Sequence, residues 1–121
     1  TLIAVLKKQA HGYYALVKCA DAQLATLFTF LRFGPYKDEY VEFLIDKTRK
    51  EFYGNLVNLA KTDAKVVIQI DEYQFPGLPI CTISIDNLLT ILQEWQLLEK
   101  VEPETIILTR ENDIMVLKIE A

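Results

Sequence analysis

The chain predicts an α+β fold, and three observations lead there. Two β-patterned hairpins stand at opposite ends, TLIAVLKK with YYALVKC and TIILTRE with IMVLKIE. Between them lie stretches whose apolar residues recur at helical spacing, and a compact β-branched run, KVVIQID, interrupts those stretches. At 121 residues, with 51% hydrophobic and 25% charged residues, the chain suits one domain with a real core. The predicted order is ββααβαββ, giving a largely antiparallel five-stranded sheet with helices packed on it.

In the first hairpin, Gln9, Ala10, His11 and Gly12 separate the two strands, and Gly12 can take a positive φ. Asp21 is placed to cap a helix running through Phe33, because Leu24, Leu27, Phe28 and Leu31 repeat the helical pattern before Gly34 and Pro35 end it. The stretch from Lys37 to about Lys61 then reads as one long helix. Val41, Leu44, Ile45, Thr48, Phe52, Leu56, Leu59 and Ala60 fall at spacings of three, four and seven along one face. Phe43, Tyr53 and Val57 make a second apolar patch on that helix, a seat for the preceding helix or for a second copy of the chain. Asp46 and Lys50 form an i,i+4 pair on its solvated side.

In KVVIQID, Val66, Ile68 and Ile70 alternate with Val67, Gln69 and Asp71, as a strand requires. EYQFPGLPIC, with two prolines and a glycine, is expected to be a surface loop. Ser84 or Asp86 then caps a helix carrying Ile85, Leu88, Leu89, Leu92 and Trp95, which ends near Lys100. In the final hairpin, Asn112 and Asp113 form a turn that tolerates left-handed backbone. The strands at the two ends must find one another, since an isolated hairpin is marginal.

Chemistry-bearing motifs are few. His11 is the only histidine and reads as an exposed turn residue, without the companions a general base needs. Cys19 and Cys81 lack metal-ligand spacing and suit a reducing, cytoplasmic setting, each as a small buried hydrophobe. Cys19, close before a helix N-terminus, is the better nucleophile of the two. The four glycines are too dispersed to cradle a phosphate. No run is apolar enough for a membrane span, and the first residues lack the pattern of a signal peptide. The sequence thus argues for no enzyme, no cofactor and no metal.

Charge is unevenly spread. Up to Asp63 there are nine bases and seven acids, +2, and from Ala64 four bases and ten acids, −6. The acidic half does not suit a phosphate backbone, and the basic spot at Lys47, Arg49 and Lys50 is interleaved with acids, so nucleic acid is not the expected partner. A basic protein is. Asp71 and Glu72 at a strand end, and Glu111 with Asp113 at the last turn, are the carboxylates best presented. Tyr73 and Phe75, on a proline-stiffened loop beside Asp71 and Glu72, supply apolar anchors with a charged rim.

In size, charge and lack of catalytic residues the chain resembles the immunity proteins that bacteria pair with secreted or contact-delivered toxins. Some of these neutralise a basic nuclease by presenting carboxylates to it. The resemblance implies an inhibitor of a basic toxin. The partner-binding residues, read from the sequence itself, are Asp71, Glu72, Tyr73, Phe75, Glu111 and Asp113. The alternatives are a homodimeric scaffold or adaptor, pairing through Phe43, Tyr53 and Val57, and a small enzyme using Cys19 or a carboxylate pair.

Overall fold

In the computed structural model, which describes residues 1–120, the two ends of the chain meet in one sheet. Strand β1 (Leu2–Lys8) pairs antiparallel with β2 (Tyr14–Cys19) on one side and with β7 (Thr105–Glu111) on the other, and β8 (Ile114–Ile119) completes the order β2-β1-β7-β8. The turns are those the sequence marks: Gly12 has φ +85° and Asn112 has φ +56°. Both terminal hairpins therefore form as expected, and each gains the partner it needs.

A second antiparallel sheet corrects the expected count. Its order is β3-β4-β5-β6, from β3 (Glu51–Tyr53), β4 (Val57–Thr62), β5 (Lys65–Ile70) and β6 (Cys81–Ser84), so the fold has two sheets of four strands and not one of five. The α+β class stands. β5 is the strand expected, with Val66, Ile68 and Ile70 buried on one face. β6 begins at Cys81, the last residue of the expected loop, and runs to the helix cap Ser84. Cys81 and Ile83 alternate inward and sit opposite Ile68 and Val66.

The long helix is the main correction. Helix α2 spans only Lys37–Ile45, and the chain beyond it turns into β3 and β4. Asp46 ends the helix locally: its carboxylate accepts from the Thr48 backbone N–H (2.8 Å) and hydroxyl (2.7 Å), which fixes a turn and not an ion pair with Lys50. The Lys61 ammonium, returning on β4, donates to the carbonyls of Phe43 and Asp46 at the helix C-terminal end. Burial then adopts period two, with Val57 and Leu59 inward, and Gly54 to Leu56 form the turn between β3 and β4. Phe43 and Val57 are buried and Tyr53 is exposed, so the three make no common patch.

Helix α1 (Ala22–Phe33) is the element around which both sheets pack. It has apolar side chains around its circumference, and Leu24 and every residue from Thr26 to Leu31 are buried. One side meets β5 and β6, the other β2, β1 and β7. Asp21 caps it by accepting from the Gln23 N–H, as the sequence suggests. Its end is constrained by Gly34, where a Cβ would stand 2.5 Å from the Phe30 carbonyl and about 3 Å from the Tyr40 ring. Helix α3 (Ile85–Val101), capped by Ser84, packs on β8, β6 and α2. The first two helices meet through Phe30 and Tyr40, whose rings lie 5.0 Å apart, and Tyr40 in turn abuts Phe52 of β3 at 5.3 Å.

Two sheet edges are closed by helix side chains. On β8, the Met115 N–H donates to the Asn87 carboxamide (2.9 Å) and its carbonyl accepts from the same group (2.8 Å), so one asparagine of α3 stands in for a neighbouring strand. On β6, the Thr82 N–H donates to Gln23 of α1 (3.1 Å), and the Thr26 hydroxyl donates to the Pro79 carbonyl (2.7 Å).

Candidate functional site

The loop between β5 and β6 is held by its own acids. Asp71 accepts from the Phe75 N–H through its backbone carbonyl (3.0 Å) and from the Gln74 N–H through its carboxylate (3.1 Å). Glu72 accepts from the N–H of Gly77, whose φ of +84° brings that group round. The loop is also tied to the β3–β4 turn: Gln74 donates to the Asn55 carbonyl (3.3 Å) and the Asp71 N–H to the Leu56 carbonyl (2.8 Å). Asp71 and Glu72 thus each hold a backbone N–H of the loop, with Asp71 half-buried and Glu72 exposed.

That anchoring separates the two aromatics. Phe75 is half-buried, its ring 4.9 Å from that of Phe33, so it pins the loop to α1. Tyr73 is 98% exposed. It stands at the rim of a cleft of about 310 Å³, lined also by Leu56, Ile70, Asp71 and Ile80, with Tyr53 exposed on the adjoining β3.

Glu111 and Asp113 lie elsewhere. Asp113 lines a cleft with Lys65, Ser84 and Arg110, at the start of β5, whereas Asp71 comes just after its end. The length of that strand, six steps of about 3.3 Å or roughly 20 Å, separates the two acidic pairs. The structure brings Asp71, Glu72 and Tyr73 together and does not add Glu111 or Asp113 to them.

The remaining candidates divide by burial. His11 is exposed in the first turn and stacks on Tyr13 with ring centres 6.2 Å apart. Tyr13 also carries the Arg32 guanidinium 4.3 Å above its ring, beside a cleft of about 240 Å³ that includes Glu99 and Glu102. Cys19 is exposed, which corrects its expected burial; its thiol donates to the Asp21 carbonyl (2.9 Å). Cys81 is buried, as expected, and burial pushes its thiol up to about 12, far from a reactive thiolate. Both are free thiols. Trp95 is core. Among the described residues no group of three or more His, Cys, Asp or Glu could hold a metal ion, and no helix is long and apolar enough to cross a membrane.

One ion pair escaped sequence reasoning. Arg110 of β7 donates through Nε to the Asp21 carboxylate, which is nearly buried. The hydrogen bond from Arg110 holds the Asp21 carboxyl below the usual carboxylate range. The contact joins sheet and helix across 89 positions of sequence, and no local spacing announces it. Set against protein-family models, curated proteins and solved structures, the chain finds no match in any of the three comparisons.

Proposed function

We propose that the chain is a protein-binding module, an inhibitor of the immunity type that neutralises a basic partner through the loop between β5 and β6. The observation that carries this reading is Tyr73. A tyrosine side chain left 98% exposed on a loop whose backbone is already fixed is preorganised as an anchor, because binding need order little else. Asp71 and Glu72, which line the same cleft as Tyr73, give that anchor an acidic rim, which steers a basic surface toward it. Glu111 and Asp113 fall outside this contact and contribute only to the long-range field.

The test starts with the basic protein that co-purifies from the native host. Tyr73→Ala is expected to weaken its binding at least thirtyfold, the loss of a central anchor worth about 2 kcal/mol. Paired charge reversal at Asp71 and Glu72 should slow association most at low salt. An affinity unchanged at low salt by both changes would overturn this assignment.

A further inference from the structure

Both sheets lay one face on α1 and leave the other without a covering helix, yet the two open faces differ. Strand register puts Glu51, Asn58, Thr62, Lys65, Gln69 and Thr82 on the open face of the β3–β6 sheet, around a smaller apolar group of Tyr53, Ala60 and Val67, a mostly polar composition. On the terminal sheet the same register puts Ile3, Val5, Ile107, Ile114 and Val116 outward, with Thr109 between Ile3 and Val116. Ile114 is 62% exposed, Ile3 39% and Val116 38%, and Val5 and Ile107 at the centre are only half-buried. A contiguous apolar face of this kind marks an interaction surface.

Charge says what covers it. One row across the four strands reads Lys18, Val5, Ile107, Lys118, an apolar pair bounded by an exposed lysine at each edge of the sheet. Lys7 lies on the same face, as do two acids at its margins: Glu111 opposite Ile114, and Glu120, whose N–H donates to the Thr105 carbonyl two residues beyond Lys118. The face therefore carries three lysines against two acids, on a chain of net charge −4. Four strands place three gaps of about 4.8 Å, roughly 14 Å, between the lysine-bearing strands, and an α-helix with its side chains is about 10–12 Å across. β7 runs about 20 Å, the length of roughly 13 helical residues.

We infer that the outer face of the terminal sheet binds an amphipathic helix of a partner protein, three to four turns long, with an apolar stripe bordered on both sides by acids. The stripe covers Val5 and Ile107, and the acids meet Lys18 and Lys118. A second copy does not suit: a two-fold axis lying between two such faces sets the lysine borders against one another. An anionic membrane surface suits less well, because the apolar part of the face is made of Ile and Val, without the Trp, Phe or Leu that reach into the acyl boundary. The site is independent of the Tyr73 loop.

The probe is a fluorescent 14-residue helical peptide with a Leu/Ile stripe and Glu on both borders, titrated at low salt and read by anisotropy. Its twin carries Lys on the borders. Expected are saturable binding of the Glu peptide alone, weakening as salt rises, and a roughly tenfold loss in the Lys18→Glu/Lys118→Glu variant with thermal unfolding unchanged. Lys18→Gln/Lys118→Gln should fall between. Equal binding of the two peptides, no binding of either, or unchanged binding by the charge-reversed variant overturns the inference. So does stronger capture by phosphatidylserine vesicles than by the peptide.

Discussion

The β3–β6 sheet is made of strands that succeed one another within residues 51–84, whereas the terminal sheet joins residues 2–19 to residues 105–119. The difference shows in how each is finished. The local sheet is short-stranded and mostly polar on its open side, so its stability rests chiefly on the face it turns to α1. The terminal sheet has longer strands with apolar residues on both faces. Pairing by proximity in sequence needs little guidance, and pairing across the whole chain is secured by extra links: the β1–β7 ladder and the Asp21–Arg110 ion pair.

The contrast can be broken most severely at the helix both sheets share. Phe30 of that helix is fully buried, its ring against that of Tyr40, and Phe30→Ala is expected to cost about 3–5 kcal/mol. Denaturant unfolding monitored by tryptophan fluorescence and by circular dichroism should still give coincident transitions; separate transitions would mean that the sheets have separate cores. A second variant asks whether the two edges are equally protected. Asn87→Ala leaves both the donor and the acceptor of Met115 without their partner, at a cost of about 1–3 kcal/mol, while Gln23→Ala removes one bond at an exposed position and should cost under about 1 kcal/mol. Comparing the two urea midpoints checks the ranking.

The smallest effect is confined to acid. Because the folded Asp21 carboxyl lies below its ordinary range, it adds stability above the unfolded value near pH 4 and loses it as pH falls through the lower folded value. Asp21→Asn keeps a competent helix cap but removes the charge. Melting temperatures of wild type and variant should differ by a constant amount above about pH 5 and converge below about pH 4. A gap that persists into strong acid would mean that the Arg110 contact does not couple the terminal sheet to α1.

Much of this architecture was legible. Gly12, Asp21, Ser84 and Asn112 mark turns and caps by chemistry that acts within a few residues, and the elements they bound form as expected. β3 and β4 were hidden by an arithmetic coincidence. Phe52, Leu56 and Ala60 are spaced by four, a number that belongs to a helix face and is also twice the strand period, so their spacing alone cannot choose. The turn signals at Gly54-Asn55 and at Asp63, which adopts φ +55°, were the features that decided against the helix. The grouping of Asp71 with Tyr73 could be read because they are neighbours on one loop. Their separation from Glu111 and Asp113 could not, since it depends on which end of β5 the last hairpin reaches. The apolar outer face left a trace: LIAVL in β1 and IMVL in β8 are continuous and do not alternate, the pattern of strands covered on both sides.

The ladder between β1 and β7 also sets a timetable. The β3–β6 sheet can close once residue 84 has been made, but β1 gains its second partner only with residue 105, 86 positions after the first hairpin ends. At about 5–20 residues per second of synthesis, that hairpin waits roughly 4–17 s with an unpaired edge. Its apolar faces are exposed meanwhile, which makes the β1–β2 hairpin the segment a ribosome-associated chaperone has most reason to hold.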